Sequence, residues 1–458
     1  MSVIEALRKI VGESGVLDAA EVATRSAGFG RADNLTARAL VRPRTTAEVA
    51  DALRWCHANG LSVVTQGGLT GLVRGGEAQP DEIILSLERM RTIESIDPRQ
   101  RVATVQAGVV LQSLQEAAEA LDLSFPLDLG GRGSATLGGN AATNAGGNRV
   151  IRYGMMRDMV LGLEVVLADG TVVSSMNQLI KNNTGYDLKQ LFIGSEGTLG
   201  VITRLALRLR EKPQSSNVAF VAASSFDAVV RLLKHMDRAL GGMLSAFEVM
   251  WQSFYRLVTT PPALGRAPIS QEHPFYVLIE SQGADPELDS RRFAAALESA
   301  MQQDLFVDAV IAQSDAECRA LWSLRDDVQQ IGQGGQPVIF DISLPLGEME
   351  RFTEALRDSL SQEIGEHKLW IFGHLGDGNL HACVQIKPQD YAALRPKIES
   401  LVYGGLKSFR GSVSAEHGIG LDRKQWLSVS RTESELALMR TLKAALDPKG
   451  ILNPGKIF

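Results

Sequence analysis

The sequence predicts an α+β protein with more than one domain, and three observations support this. Glycines are concentrated in the first half of the 458-residue chain, whereas helix and strand patterns alternate in the second half. A polar, proline-containing stretch, residues 211–217, separates the two halves. The length is about three times that of the commonest domain, which favours at least two hydrophobic cores.

The first clear elements are a helix, a short strand and a glycine-rich loop. Thr45 and Glu48 form a capping box that opens a helix, and Gly60 closes it. A strand over 61–65 then runs into the loop 66–72, with Gly75 and Gly76 just beyond. Backbone N–H groups in such a loop can hold a pyrophosphate, although ordinary turns have the same composition.

Two further glycine clusters follow in the first half. Residues 125–147 are rich in Gly, Ala, Ser, Thr and Asn, which let the backbone lie flat against a large planar ligand. Residues 194–200 lead into a strand in which leucines alternate with arginines over 204–210. No G-x-G-x-x-G opens a helix with an acidic residue about 20 positions on, which argues against a nicotinamide-binding Rossmann domain.

The second half predicts helices that cover a sheet. The helices are expected near 226–239, 286–301, 315–331, 347–363 and 389–409. The strands are expected near 218–223, 275–281, 306–313, 337–344 and 369–386. This alternation favours an α+β layer whose sheet is at least partly antiparallel.

The last predicted strands form a hairpin that carries two histidines. Asp377-Gly378 is a dipeptide that a two-residue type I′ turn prefers, and this turn would place His374 directly opposite His381. Opposed Cβ atoms lie about 4.5–5.5 Å apart, from where two imidazoles can bind one metal ion. Asn379 falls on the same face.

A second motif, residues 414–420, adds a carboxylate and another imidazole. Glu416 is the candidate third ligand, since two imidazoles and one carboxylate suit catalytic zinc, with manganese, iron or cobalt as alternatives. His417 is then left to move protons. The alternatives are two histidines in a glycine-rich hairpin that bind nothing, and a metallohydrolase or metal-binding protein that uses only this cluster.

Composition excludes several classes of protein. Lys and Arg total 47 against 53 Asp and Glu, a net charge of −6 that disfavours nucleic acid or an anionic membrane as the main partner. The N-terminus lacks the pattern of a secretory signal, and no apolar run suggests a transmembrane segment. The three cysteines, Cys56, Cys318 and Cys383, are far apart, so we expect a reducing, cytoplasmic setting.

From about residue 36 to its end, the chain resembles the vanillyl-alcohol-oxidase/p-cresol-methylhydroxylase superfamily of FAD enzymes. Within it, the resemblance is to D-2-hydroxyglutarate and D-lactate dehydrogenases and their glycolate-oxidase relatives. The motifs that carry it, in chain order, are 67–72, 125–130, 138–146, 194–200, 374–381, 414–417 and 453–454. So many ordered motifs are highly specific.

The resemblance implies a p-cresol-methylhydroxylase-type FAD-binding domain over 1–212 and an α+β substrate domain with an antiparallel sheet over 213–412. Residues 413–458 would pack back on the FAD domain. The residues expected to hold FAD are Gly67, Gly68, Leu69, Thr70, Gly71, Leu72, Asp128, Ser134, Gly138, Gly139, Asn140, Thr143, Asn144, Gly146, Glu196, Gly197, Val201, Ile202 and Asn453. The first glycine loop contains no histidine that could tether the flavin, so non-covalent FAD is expected.

The resemblance also implies a mechanism. A divalent metal, most simply Zn²⁺, would be held by His374, His381 and Glu416, and His417 would act as general base. The hydride from C2 of a D-2-hydroxy acid would pass to flavin N5. An electron-transfer flavoprotein, a quinone or a cytochrome would then reoxidise the flavin, and the protein could form a homodimer.

Substrate recognition is expected from Arg325, which aligns with an arginine that binds substrate carboxylate, and from Asn379 and Gln329. A solvated helix arginine is the alternative for Arg325. The chain departs from the D-2-hydroxyglutarate pattern at Ile339, where a lysine is expected, and at Gln329, where a threonine is expected. The motif at 125–130 nevertheless favours D-2-hydroxyglutarate as the leading substrate, whereas Ile339 argues against it, and D-lactate or D-malate are the alternatives.

Overall fold

The structure is a computed structural model that describes residues 2–458. These residues divide into two compact units. The first unit comprises the residues up to Gly147, Gly154–Lys212 and Glu416–Phe458, and the second comprises Asn148–Tyr153 and Pro213–Ala415.

The elements are numbered in chain order. The strands are β1 Val16–Asp18, β2 Ala39–Val41, β3 Val63–Gln66, β4 Ile83–Ser86, β5 Ile93–Asp97, β6 Val102–Gln106, β7 Leu123–Ser124, β8 Val160–Val166, β9 Val172–Ser175, β10 Val201–Arg208, β11 Arg210–Glu211, β12 Ser215–Ala223, β13 Leu244–Trp251, β14 Phe275–Gly283, β15 Asp308–Ile311, β16 Gln336–Ser343, β17 Lys368–His374 and β18 Asn379–Ile386. The α-helices are α1 Val3–Val11, α2 Ala19–Val22, α3 Thr46–Asn59, α4 Leu111–Glu119, α5 Leu137–Thr143, α6 Val150–Tyr153, α7 Met156–Met159, α8 Lys189–Phe192, α9 Phe226–Leu240, α10 Gln252–Thr259, α11 Pro286–Gln302, α12 Asp315–Asp326, α13 Leu346–Glu363, α14 Tyr391–Leu406, α15 Leu427–Ser430 and α16 Glu433–Leu446.

The first unit contains two main sheets. A four-stranded sheet has the order β1-β2-β4-β3, in which β2, β4 and β3 are parallel. A five-stranded antiparallel sheet has the order β5-β6-β10-β8-β9. The predicted strand after the third glycine cluster is confirmed as β10.

The helix before the first glycine loop forms as its sequence predicts. The Thr45 side chain accepts a hydrogen bond from the Glu48 backbone N–H, and Gly60 ends α3 in the left-handed conformation at φ 65°. Val49, Leu53 and Cys56 are buried along one face of α3. Since β3 begins only three residues after Gly60, this helix and strand lead directly into the loop.

The C-terminal segment of the first unit returns to β3. Leu452 bridges Val63 in parallel, and the Asn453 N–H donates to the Val63 carbonyl at 2.8 Å. The Lys443 ammonium donates to the Thr198 carbonyl at 2.8 Å. The first two contacts tie the end of the chain to the strand that precedes the first glycine loop, and the lysine ties the same segment to the third glycine cluster.

The second unit is built on a seven-stranded sheet with the order β15-β12-β14-β13-β17-β18-β16. Every neighbouring pair in it is antiparallel, as the sequence suggested. All the predicted helices form, although α12 ends at Asp326 and continues as a 3₁₀ turn over Val328–Gly332. Strand β13 and helix α10 were not anticipated.

One face of this sheet is apolar along most of its length. Helices α10 and α12 cover it, with the Phe254 and Phe372 rings stacked at 4.1 Å and the Tyr255 and Tyr276 rings at 3.9 Å. Toward one end of β13, β17 and β18, the same face changes to buried polar side chains. This polar end contains Glu248, His374 and His381.

Candidate functional site

Two imidazoles lie together at the polar end of the second unit's sheet. His374 is the last residue of β17, and His381 lies in β18. Both side chains are at most 9% exposed, and their ring centroids are 5.4 Å apart at an interplanar angle of 81°. One nitrogen of the His374 ring and one nitrogen of the His381 ring lie within 4.8 Å of each other. The predicted pairing of these histidines on one face is confirmed.

The predicted register of the hairpin is wrong. His381 lies opposite Phe372, not His374, and His374 lies opposite Glu248 of β13. The connection is a 3₁₀ turn over Leu375–Asp377 followed by Gly378 at φ 85°, so it is longer than a two-residue type I′ turn. The two histidines still share a face because Phe372 and His374 are two residues apart on one strand.

Glu248 links His374 to Arg325. Its Oε1 lies 2.7 Å from His374 Nδ1, and its Oε2 accepts from Arg325 Nε at 2.7 Å. Burial raises the pKa of Glu248, but His374 and Arg325 outweigh this effect and lower the pKa to about 2. Glu248 is therefore an anion at neutral pH, although it is only 1% exposed.

Arg325 is a buried residue and not a solvated one. It lies in the last turn of α12 with 5% exposure, and its guanidinium is centred 4.9 Å from the Phe372 ring. Besides its bond to Glu248, its Nη2 lies 3.2 Å from His374 Nε2. The solvated-arginine alternative is therefore wrong. Gln329 is exposed in the 3₁₀ turn that follows α12.

Asn379 begins β18 and faces the same side as His381. Its Nδ2 donates to Asp341 Oδ1 and to the Ile342 carbonyl, both at 2.9 Å. Its Oδ1 is buried without a hydrogen-bond partner among residues 2–458. Because an unpaired buried acceptor is costly, this atom is suited to receive a hydrogen bond from a bound ligand.

Asp341 completes the polar end of the sheet. It is fully buried in β16, directly opposite His381. The Ala415 N–H donates to the Asp341 carbonyl at 3.4 Å, and Ser414 Oγ donates to its Oδ2 at 3.5 Å. Two residues away on the same face, Ile339 is 51% exposed. An exposed aliphatic side chain thus occupies the position where a lysine was expected.

Glu416 and His417 begin the C-terminal segment of the first unit. His417 Nδ1 lies 3.4 Å from Arg423 Nη2. Arg423 is 5% exposed, and its Nη1 donates to the Gly418 carbonyl at 3.5 Å. The arginine therefore fixes one side of the imidazole.

The glycine clusters of the first unit pack closely on one another. A Cβ built on Gly68 would lie 1.9 Å from the Ser134 carbonyl, and one on Gly67 would lie 2.4 Å from Thr136 Oγ1. Thr136 also caps α5, whose residues form the middle of the second cluster. Two distant segments can lie side by side here only because these positions lack side chains.

Gly68→Ala is expected to reduce the flavin content of the purified protein. The added methyl would overlap the Ser134 carbonyl, and either glycine segment would have to move. Overpacking of this kind costs about 1–3 kcal/mol and would change the spacing of the loop N–H groups. Flavin absorbance per chain measures the effect, with Gly347→Ala in α13 as the control because a Cβ there meets nothing within 4 Å. Equal flavin in both variants would contradict the assignment.

The second and third glycine clusters meet at a pair of polar side chains. Gly194 N–H donates to the Ala141 carbonyl at 3.0 Å, and Glu196 N–H donates to the Ala142 carbonyl at 2.8 Å. Adjacent in sequence to these bonded residues, Asn140 Nδ2 and Ser195 Oγ are buried without hydrogen-bond partners among residues 2–458. A flavin with many hydrogen-bonding atoms would satisfy such groups.

Glu196 and Asn453 hold the C-terminal segment in place. Glu196 accepts from the Ile419 and Gly420 N–H groups at 2.7 and 2.8 Å, while Asn453 donates to the Glu196 carbonyl at 2.6 Å and accepts from the Thr65 N–H at 2.8 Å. Burial raises the pKa of Glu196, and the two N–H groups oppose this effect. The side chains of Glu196 and Asn453 therefore both form hydrogen bonds to backbone groups of the protein.

The remaining residues expected around FAD lie in these same segments. Leu69 has a left-handed backbone at φ 53°, Asn144 ends α5, and Leu72 is 45% exposed. The side chains of Val201 and Ile202 are buried at the start of β10. The others, placed in the glycine clusters or next to them, are Thr70, Gly71, Asp128, Ser134, Gly138, Gly139, Thr143, Gly146 and Gly197.

Sequence reasoning missed Glu248 and Asp341 as functional candidates. Each is the one charged residue within a strand that is otherwise largely apolar, Leu244–Trp251 and Gln336–Ser343. A lone carboxylate in such a strand indicates a buried ion pair or a ligand site, because an isolated buried charge is too costly. That signal was present in the sequence.

Two family sequence models match the chain. Residues 37–175 match the family described as "FAD binding domain". Residues 212–457 match the family described as "FAD linked oxidases, C-terminal domain". Together the two matches cover most of both units.

Two relatives align along nearly all of the chain. The mitochondrial D-2-hydroxyglutarate dehydrogenase of Bos taurus is 43% identical over 456 residues, which cover 99% of this chain and 83% of the bovine one. A Schizosaccharomyces pombe protein, named provisionally as a mitochondrial D-lactate dehydrogenase, is 37% identical over 426 residues, 91% of this chain and 81% of its own.

A solved structure shows the same fold. The structure of p-cresol methylhydroxylase with bound substrate matches with a TM-score of 0.78 and 17% sequence identity, covering 99% of this chain and 96% of that one. At this identity the match concerns the fold alone. It confirms the predicted fold class.

The described residues contain no helix that is long and apolar enough to cross a membrane. Both relatives named above have "mitochondrial" in their names. A cytoplasmic location of this chain stays a prediction.

Proposed function

The chain belongs to the family of FAD-linked oxidases that includes the D-2-hydroxyglutarate dehydrogenases, and from this premise we propose that it oxidises a D-2-hydroxy acid to the 2-oxo acid. It is an oxidoreductase that acts on a CH–OH group. The observation that carries the proposal is the buried group formed by Glu248, His374, Arg325 and His381. It combines two imidazoles that can bind a metal ion with a guanidinium that can bind a substrate carboxylate.

We propose that FAD binds without a covalent link, held by the glycine clusters of the first unit. The close packing at Gly68 and the unpaired polar atoms of Asn140 and Ser195 fit a large planar cofactor. Bound FAD would accept the hydride from C2 of the substrate at N5. The chain's part is to orient the ring and exclude water around it.

We propose that His374, His381 and Glu416 hold a divalent metal, with Zn²⁺ preferred. The donor set fits a metal ion, since one nitrogen of His374 and one of His381 lie within 4.8 Å of each other. The Nδ1 of His374 also bonds to the Glu248 carboxylate, as is usual for a histidine that binds metal. Glu416 follows Ala415 directly, and Ala415 bonds to Asp341 opposite His381. A bound ion would polarise the substrate hydroxyl as a Lewis acid.

His417 is the proposed general base. An imidazole can accept a proton near neutral pH, which suits removal of the substrate's hydroxyl proton. The Arg423 guanidinium beside Nδ1 restrains the ring. Asn379 Oδ1 is proposed to accept a hydrogen bond from the substrate.

Arg325→Ala is expected to raise the KM for hydroxy acids about 10–100-fold, because a charge-assisted hydrogen bond contributes roughly 1.5–3 kcal/mol. Steady-state kinetics against the acid concentration measure this. Arg319→Ala, a substitution in the same helix α12, is the control. Unchanged kinetics in the Arg325 variant would mean that another residue anchors the carboxylate.

D-2-hydroxyglutarate is the leading substrate because relatives with that name align along nearly the whole chain. D-lactate is the second candidate, since Ile339 presents an aliphatic side chain on the histidine face where a second cation was expected. The loss of a cation weakens the binding of a dianion more than that of a monoanion. A flavin-free metallohydrolase is disfavoured by the FAD-binding domain.

Steady-state turnover tests the proposal. The purified chain is assayed with D-2-hydroxyglutarate, D-lactate, D-malate and their L-enantiomers, using a dye as electron acceptor, before and after treatment with a chelator. We expect oxidation of D-acids that the chelator abolishes and Zn²⁺ restores. Oxidation of L-acids alone, or turnover that a metal-stripped protein retains, would contradict it.

A further inference from the structure

We propose that Glu248 positions both His374 and Arg325, and that Arg325 occupies the metal-binding nitrogen of His374 until a metal ion displaces it toward the substrate carboxylate. This inference rests on the proposed function and assigns roles within it. Glu248 would be a positioning residue, since it touches neither metal nor substrate. Arg325 would couple metal binding to substrate binding.

The first step is the protonation state of the His374 ring. A guanidinium only donates hydrogen bonds, so Arg325 Nη2, at 3.2 Å, requires a lone pair on His374 Nε2. The ring proton must then lie on Nδ1, where it is donated to Glu248 Oε1 at 2.7 Å. This is the neutral form, with Nε2 available, that a metal ligand needs.

The second step is competition for that lone pair. A metal ion held by His374 would use the same Nε2 lone pair that accepts the arginine N–H. The guanidinium therefore has to withdraw from Nε2 when the ion binds. Its Nε bond to Glu248 at 2.7 Å and its packing on Phe372 can persist, so the group would turn about a fixed point.

The third step concerns the N–H groups of the Arg325 guanidinium that no longer contact His374. Once Nη2 leaves His374, the guanidinium presents free N–H donors beside the metal, and a carboxylate can accept two of them. In the structure the same donor contacts His374 Nε2. Metal loading should therefore precede tight binding of the hydroxy acid.

This arrangement predicts opposite effects of two substitutions on metal affinity. Glu248→Gln removes the anion that orients His374, and the loss of such a partner typically weakens metal binding about 10–100-fold. Arg325→Met removes a donor and a positive charge that compete with the ion, so zinc affinity should rise several-fold. A purely structural role for both residues would weaken binding in both variants.

The experiment measures the Zn²⁺ affinity of the full-length chain by competition with a chromogenic chelator. The variants are Glu248→Gln, Arg325→Met and His374→Ala. Glu280→Gln is the matched control, because Glu280 is also 1% exposed on the neighbouring strand and accepts hydrogen bonds from Arg149 at 2.8 Å and from Trp322 Nε1 at 3.1 Å. The control should bind zinc within about twofold of the wild type.

The outcomes are distinct. Weaker binding in Glu248→Gln together with tighter binding in Arg325→Met supports the inference. Weaker binding in Arg325→Met, or wild-type affinity in Glu248→Gln while His374→Ala loses zinc, overturns it and leaves the metal site standing. Wild-type zinc affinity in His374→Ala would overturn the proposed metal site as well.

Discussion

His374→Ala is expected to lose the bound divalent metal and nearly all turnover while it keeps its flavin. The substitution removes one of two neighbouring imidazoles and leaves Glu248 without its histidine partner. Lewis-acid activation is worth several kcal/mol, so the loss of rate should be on the order of 10³-fold. The flavin should remain because the glycine clusters belong to the other unit. Metal content, visible absorbance and turnover measure the three effects.

The matched control is His367→Ala. His367 directly precedes β17, and its Nδ1 is 2.8 Å from the Gly365 carbonyl. This variant should keep metal, flavin and turnover. A His374 variant with full activity and full metal content would contradict the ligand assignment.

His417→Ala is expected to slow flavin reduction by about 10²–10⁴-fold, the usual contribution of a general base. Metal and flavin should both stay bound, because His417 is assigned to neither. The measurement is the rate at which D-2-hydroxyglutarate reduces the flavin in a single anaerobic turnover. It isolates proton and hydride transfer from the later reoxidation step.

His57→Ala serves as its control, since His57 lies in the last turn of α3 in the same unit. It should reduce at the wild-type rate. If His417→Ala also reduces at that rate, another group removes the hydroxyl proton. Partial rescue of His417→Ala by added imidazole would support the assigned role.

Local signals predicted much of the fold. The capping residues Thr45 and Gly60 determine where α3 begins and ends, and the helices after residue 225 follow from their own apolar periodicity. Strand β13 was missed because all eight of its residues are buried, so it shows no alternation of apolar and polar residues. Such a strand is recognisable only from its neighbours.

The candidate site was predicted in its ligands but not in its geometry. His374 and His381 share a face whenever the residue opposite His381 lies an even number of positions from His374, as Phe372 does. The prediction of a shared face is therefore confirmed although the predicted turn is wrong. Glu248 bonds to His374, which is 126 positions away in the sequence, and to Arg325, which is 77 positions away. No local pattern reports such a contact.

The departure at Ile339 shows how a sequence and a structure differ in what they contribute. The sequence indicates only that an expected lysine is absent. The structure adds that the isoleucine is 51% exposed and lies two residues from Asp341, on the histidine face. It is therefore placed where it can affect the choice between a dianionic and a monoanionic acid.

The most direct test of the central claim is anaerobic reduction of the purified protein's flavin by D-2-hydroxyglutarate, with D-lactate, D-malate and the L-enantiomers alongside. We expect the visible flavin band to bleach with D-acids only, and the relative rates to rank the substrates. A flavin-containing protein that none of these acids bleaches would contradict the proposal that the chain oxidises D-2-hydroxy acids.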